Sequence, residues 1–322
     1  MASAERAPEH GGVPAEPMLQ PARANRGDDA SPRGPAAALK RLGAIGDSVM
    51  ITHTLFSLPF VVSAILLETD GRPPFWKLFW IVVAAFGARN AANALNRIID
   101  KDIDAKNPRT ARRHLPSGRL SARDLWIFTA AMLALLVLGA AMLNVLCLAL
   151  LPAAGILLFG YSYTKRFTWL AHFWLGLACS AATMGAFLGI SGAFHLRYFP
   201  LTAGVALWVA GFDIIYALQD IEFDRRERLH SVPARFGERG ARVIAALSHL
   251  VACISFASIY IFWRTPGIFS AIALAGCTIL IAAEHLISAR KTATRIKLAA
   301  YTMNQIIPII FLCGIALDIY LG

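Results

Sequence analysis

Charge is what this chain lacks. Only 16% of its 322 residues are Asp, Glu, Lys or Arg, against about 25% in an average soluble protein. That shortage, joined to long apolar runs and a mean hydropathy of +0.56, speaks against a soluble domain and predicts a polytopic membrane protein. Cysteine is scarce too. The five present (Cys147, Cys179, Cys253, Cys277, Cys313) all lie inside apolar runs, without C-x-x-C spacing. They argue against a disulfide framework or a thiolate metal centre and read as small buried residues. Residues 1–40 have few large apolar side chains and are rich in Ala, Pro, Gly and charge. Such a segment cannot bury enough surface to order itself. It has no apolar core after a basic start, unlike a secretory signal, and its acids are unlike a transit peptide. A disordered cytosolic tail, 1–40, ahead of a membrane domain, 41–322, is the expectation.

What is present is a series of apolar segments. Nine of them, near 48–68, 77–97, 124–143, 145–163, 170–193, 199–219, 240–263, 267–287 and 298–320, have the length of a membrane helix. The third and fourth are separated only by Asn144. The expected fold is all-α, with nine transmembrane helices. Lys and Arg fix its direction. With the N-terminus in the cytosol, the loops on that side hold eight, two, six and four, twenty in all. The opposite loops hold four: Arg72, Lys77, Arg197 and Arg264. The positive-inside rule therefore puts the N-terminus in the cytosol. Basic loops beside anionic lipid also account for much of the net charge of +11 and need no nucleic-acid partner.

Positive-inside loops have no need of acids, yet two of these carry them in a pattern. From Asn96 to Gly118, three aspartates stand among six Lys and Arg at the end of an apolar run. Asn96, Asp100 and Asp104 follow i, i+4, i+8, so a helix continued past the membrane surface presents them on one face. Arg89 and Asn93 share that face one to two turns deeper. In "FDIIYALQDIEFD", Asp213, Tyr216, Asp220 and Asp224 stand at offsets 0, 3, 7 and 11, again one face. Two helices that end in the cytosol thus carry the same Asp-x-x-x-Asp pair at the same depth. Clustered carboxylates repel unless a cation lies between them. Oxygen ligands at a membrane surface suit Mg²⁺, which shares itself with substrate phosphates, while flanking Lys and Arg meet phosphate oxygens. The pattern predicts a diphosphate site whose substrate keeps a lipid tail in the bilayer. If the tail is allylic, metal-assisted loss of diphosphate leaves a carbocation. Aromatic faces can shelter it, from among Tyr161, Tyr163, Phe167, Phe173, Trp174 and Tyr216.

These segments resemble the UbiA superfamily of intramembrane aromatic prenyltransferases. "NRIIDKDID" is similar to its first aspartate motif, "RTARRHLPSG" to the segment that follows, "YSYTKRFTWLAHFWLG" to its Y-x-x-x-K-R-x-T segment and "DIIYALQDIEFD" to its second motif. The likeness runs from about residue 45 onward. It implies nine helices around a central cavity open to the cytosol, in a bacterial inner membrane. It also implies a polyprenyl diphosphate held with Mg²⁺ by Asn96, Asp100, Asp104, Asp220 and Asp224. Lys165, Arg166 and Arg113 would touch the diphosphate. Asp213 and Tyr216 would line the acceptor pocket or shield the cation, and Asp213 or the released diphosphate would take the ring proton. Arg89 would anchor the acceptor or pair with Asp213, with Asn93 beside it. Three departures stand out. His114 replaces a Pro, Arg228 stands where a Gly is frequent, and Thr52 precedes His53 where a basic residue is common, leaving His53 to meet the acceptor. The likeness is strongest to a bacterial branch of 4-hydroxybenzoate polyprenyltransferases and their futalosine-route menaquinone counterparts. 4-Hydroxybenzoate is the first expectation for the small aromatic acceptor and a dihydroxynaphthoate the alternative. A transporter would carry its ionisable groups near the midplane on broken helices, and a non-catalytic lipid-binding scaffold would not need the acid set twice.

Overall fold

The computed structural model describes residues 43–49, 54–263, 267–289 and 292–322. The expected tail, 1–40, and His53 lie outside the described residues. Every regular element among the described residues is helical. Residues 43–49 form a short helical stretch. It is followed by α1 (Thr54–Thr69), α2 (Phe75–Ile99), α3 (Lys101–Lys106), α4 (Ala122–Leu143), α5 (Val145–Ala149), α6 (Leu151–Thr164), α7 (Ala171–Ser191) and α8 (Phe199–Ala217). Next come α9 (Ile221–Arg226), α10 (Val232–Ala257), α11 (Ile259–Phe262), α12 (Ile268–Ser288), α13 (Ala293–Lys297), a π-turn over Leu298–Met303 and α14 (Asn304–Leu321).

Seven helical stretches among the described residues are long and apolar enough to cross a membrane: Phe75–Ile99, Ala122–Leu143, Ala171–Ser191, Leu196–Arg226, Val232–Phe262, Ile268–Ser288 and Thr294–Leu321. The chain is an integral membrane protein. The other two of the nine expected segments fall short of that length. One is α1, with 16 residues. The other, expected over 145–163, is broken at Leu150 into α5 and α6, because Pro152 occupies the first turn of α6, where a missing N–H is tolerated but a continuing helix is not. Asn144 divides the third segment from the fourth as expected. Its side chain caps α5 by accepting from the Cys147 N–H at 2.9 Å and donates to the Leu188 carbonyl at 2.8 Å. A polar cap is tolerated at that position because both of its ends find partners.

Successive helices pack as antiparallel neighbours: α2 on α4, α7 on α8, α8 on α10 and α12 on α14. α1 touches both α14 and α7. The aromatic core lies where α1, α8, α10 and α14 meet, with Phe60 against Trp208, Phe256 and Phe311. At the end remote from the aspartates, Arg197 and the Tyr198 hydroxyl both donate to Glu68 at 2.8 Å, and Arg197 lies over the Trp263 ring. That end is pinned, and the chemistry-bearing residues gather at the other.

Candidate active site

Both aspartate motifs sit at helix junctions. α2 stops at Ile99, and Asp100 takes φ −93° and ψ 9° before α3 begins. α8 stops at Ala217, one 3₁₀ turn follows, and Asp220 takes φ −107° and ψ 6° before α9. The expectation that each helix continues unbroken through its acids is corrected here. Asp favours junctions because its short side chain competes for backbone groups, and this bridge region of φ/ψ recurs at active sites. The shared face survives the break in the first motif, where the Asn96 amide donates to Asp100 Oδ2 at 2.7 Å.

Each carboxylate has a protein partner. Asp104 is buried and accepts from Arg113 on both oxygens, at 2.7 and 2.6 Å, with Arg97 at 3.9 Å. Asp220 is clamped bidentately by Arg109, at 3.0 and 2.6 Å, and accepts from the Asn107 amide at 3.1 Å. Asp100 accepts from the Asn96 amide, and its ion-pair contact, to Arg166, is long, 3.4 Å. Burial pushes its carboxyl above the ordinary range, with Lys165 pulling the other way. An acid that is costly to ionise in this way gains from any cation delivered beside it. The Lys165 ammonium lies between the motifs, within electrostatic reach of Asp100 in the first and of Asp220 and Asp224 in the second. Burial alone would lower its pKa. Asp224 first, then Asp213, outweigh burial and raise it.

A turn after α9 places Asp224. Arg228 adopts φ 54°, the Leu229 N–H reaches back to the Asp224 carbonyl at 2.8 Å and the Arg228 N–H to Arg225 at 3.3 Å. This is a Schellman closure, which usually takes Gly at the left-handed position. The departure from Gly noted in the sequence therefore falls where an L side chain is strained. The closure delivers the Ser231 hydroxyl to Asp224 Oδ2 at 2.7 Å and the His230 N–H to the Lys165 carbonyl at 2.6 Å.

Beneath the acids lies a cavity of about 510 Å³. Asn96, Arg97, Arg113, Asp213 and Tyr216 line its polar part. Apolar side chains of α2, α4, α6, α7 and α8 form the rest. Arg89 and Asn93 face it as well. Arg89 Nη1 reaches Cys179 Sγ at 3.1 Å and its buried Nε has no partner among the described residues, while the Asn93 amide donates to the Val49 carbonyl. The partner of Asp213 is His172, at 2.7 Å, so the alternative of an Arg89–Asp213 pair is not the one formed. The Tyr216 hydroxyl accepts from Arg109 at 3.1 Å. Arg166 donates to the Ile99 carbonyl at 2.7 Å. Of the six aromatics expected to shelter a cation, Tyr161 and Tyr216 line the cavity. Tyr163 and Phe167 are exposed, the Trp174 indole donates to the Leu157 carbonyl, and Phe173 packs against a core cluster.

Among the described residues no three Asp, Glu, His or Cys side chains stand together as a preformed metal cage. The donor set is nonetheless all oxygen, which suits Mg²⁺, an ion that takes one or two carboxylates and completes its shell with substrate phosphates and water. Asp100 and Asp224 have no close cationic clamp, so the residues present fit an ion that arrives with a diphosphate. The sequence reading passed over Asn107, Arg109, Ser231 and His172. Arg109 and His172 both lay inside segments singled out as motifs, but no spacing rule marks an arginine that pairs across 111 residues.

Comparison with known proteins bears on the family and the fold. The profile of the UbiA prenyltransferase family matches residues 57–306. A 4-hydroxybenzoate octaprenyltransferase of Xanthomonas campestris pv. campestris (strain B100) is 33% identical over 175 residues, 54% of this chain and 58% of that protein. The match thus spans less than two thirds of that relative. The one from Aliivibrio fischeri (strain MJ11) is 30% identical over 203 residues, 63% of this chain and 68% of that protein. Among solved structures, a UbiA homolog from Aeropyrum pernix K1 superposes with TM-score 0.76 at 34% identity, covering 83% of this chain and 98% of that one. A UbiA homolog from Archaeoglobus fulgidus bound to GPP and Mg²⁺ superposes with TM-score 0.64 at 21% identity, covering 86% and 99%, a likeness of fold.

Proposed function

The chain belongs to the UbiA prenyltransferase family, and from that membership and the geometry of its site we propose that it transfers a polyprenyl group from a polyprenyl diphosphate to a small aromatic acceptor. The acceptor is 4-hydroxybenzoate, and the product enters respiratory quinone synthesis. The observation that carries this is the joining of the two aspartate motifs, through Asn107 and Arg109 on Asp220, at the polar end of an intramembrane cavity lined by Asn96, Arg113, Asp213 and Tyr216. The names of the Xanthomonas and Aliivibrio relatives support the acceptor.

Asn96, Asp100, Asp104, Asp220 and Asp224 would hold Mg²⁺. When bound, the ion neutralises the diphosphate and eases its departure. Lys165, Arg166 and Arg113 meet the outer phosphate oxygens. Tyr161 and Tyr216 turn ring faces toward the positive charge left on the prenyl carbon. Arg89, with Asn93 beside it, binds the acceptor carboxylate, and the apolar wall excludes water that would quench the cation. Asp213 takes the ring proton.

In this proposal the chain crosses a bacterial inner membrane nine times, α1 and the interrupted α5–α6 pair adding to the seven long spans. The N-terminus and the cavity mouth face the cytosol. The twenty-to-four asymmetry of Lys and Arg supports that direction. The test is an assay of purified protein with geranyl diphosphate and Mg²⁺, offering 4-hydroxybenzoate and a dihydroxynaphthoate in turn. Prenylated 4-hydroxybenzoate, lost on chelation, is the expected result. Turnover with the naphthoate alone would move the protein to the futalosine route, and ion flux without diphosphate release would make it a transporter.

A further inference from the structure

His172, on the first turn of α7, is fully buried, and its Nδ1 lies 2.7 Å from Asp213 Oδ2 on α8. The antiparallel packing of α7 on α8 sets this pair. A turn further along α7, Gly176 lets the Ala206 carbonyl approach so closely that a Cβ there would collide with it. The two partners face different surroundings. The imidazole is 0% exposed, whereas the Asp213 side chain is 22% exposed and lines the cavity. His172 Nε2 is buried and has no hydrogen-bond partner among the described residues. With no acceptor to hold a proton on Nε2, the hydrogen-bond pattern assigns the proton to Nδ1, which donates to Asp213.

A carboxylate within a membrane protein needs a partner. A cation in direct contact would supply one but would hold the group as a permanent anion. The group in hydrogen-bond contact with Asp213 is the His172 imidazole, while Lys165 and Arg109 act on it from farther away. The Nδ1–H donor fixes one oxygen of Asp213, whose side chain is part-exposed and lines the cavity. This inverts the familiar triad, in which the carboxylate orients the ring and the ring does the proton transfer.

We propose that His172 is a positioning residue for removal of the aromatic proton, holding Asp213 so that its other oxygen addresses the acceptor ring. The proposal rests on the aromatic-acceptor reading above. The prenyl C1–O bond breaks and its electron pair leaves with the diphosphate. A ring π pair forms the new C–C bond. The ring C–H pair then returns to the π system as the proton moves to the Asp213 carboxylate, which later yields it to water.

The experiment uses the full chain in detergent with Mg²⁺, geranyl diphosphate and either 4-hydroxybenzoate or its ring-deuterated form. Geranyl diphosphate binding and thermal unfolding report on folding. His172→Leu is expected to lower kcat by about 10²-fold, the low end of what a positioned base contributes. The KM for geranyl diphosphate should stay unchanged, and a ring-deuterium effect on kcat larger than that of the wild type should appear. His172→Asn, which keeps a donor near the Nδ1 position, recovers most of the loss, and His172→Gln recovers less. Wild-type kcat in His172→Leu, or an equal loss in the Asn and Gln variants without an isotope effect, overturns the proposal. If the Leu variant does not fold, the Asn–Gln pair decides alone. A wild-type chain that binds geranyl diphosphate but prenylates no aromatic acceptor overturns the parent reading and this inference together, whereas an active wild type with indifferent variants overturns only the inference.

Discussion

After Asp100 the short helix α3 ends at Asn107 in extended backbone, and the Asn107 amide crosses to Asp220. After Asp220 the equally short α9 closes in a left-handed turn at Arg228, and Ser231 folds back onto Asp224. The two motifs share a junction geometry and differ in what comes next. In the second, only Asp224 is completed by its own turn. The first gives way to a segment that serves both motifs, with Arg113 returning to Asp104 and Arg109 reaching over to Asp220. Similar spacing in sequence therefore conceals unequal dependence, because the second motif leans on the loop of the first.

The sharpest test of that comparison removes one charge from each motif. Asp100→Asn and Asp220→Asn are each expected to cut kcat/KM by about 10²-fold or more with the protein still folded. Only Asp220→Asn should also lower the thermal unfolding midpoint, because it deprives Arg109 and Asn107 of their acceptor. Wild-type turnover in Asp100→Asn would end the metal role of the first motif. Next in size, Arg109→Ala and Arg113→Ala each strip a clamp from a mostly buried carboxylate and should cost about 1–3 kcal/mol, read as unfolding in detergent. If both motifs hang on one loop, the double variant loses less than the sum of the two.

A smaller change acts on the second motif alone. Arg228→Gly relieves the left-handed residue and should stabilise the protein by about 1 kcal/mol, visible as a higher unfolding midpoint with unchanged activity. The smallest expected effect is none. Neighbouring carboxylates hold the Lys165 pKa above its ordinary value. Its favourable contribution is thus complete below the ordinary lysine pKa of about 10.4 and is lost only as pH rises beyond that. The KM for geranyl diphosphate should stay flat from about pH 7 to pH 10. A rise within that range would place Lys165 away from the two motifs.

Much of this was legible before any coordinates. Asn144 marked a helix boundary because a polar side chain in an apolar run has to cap something. The aspartate spacing marked a shared face, and in the first motif that survived the break at Asp100, where the Asn96 amide still reaches the Asp100 carboxylate. Pairings between helices were not legible. Arg89 and Asp213 looked like natural ion partners by depth and charge, yet His172 occupies the position beside Asp213, a choice set by how α7 packs on α8. Four of the six aromatic candidates miss the cavity for the same reason. Periodicity orders residues around one helix, but which side meets the cavity is decided by neighbours distant in the chain.

The arginine clamps bear on what the protein does when its site has nothing in it. Asp104 and Asp220 are matched by guanidinium groups drawn from the chain itself, so two of the acids have a countercharge before any ion or substrate arrives. Folding and membrane insertion then need no supply of magnesium, unlike small domains that collapse only around their metal. If the proposed magnesium role holds, a cell short of the ion would keep this protein folded but without turnover until the ion returned.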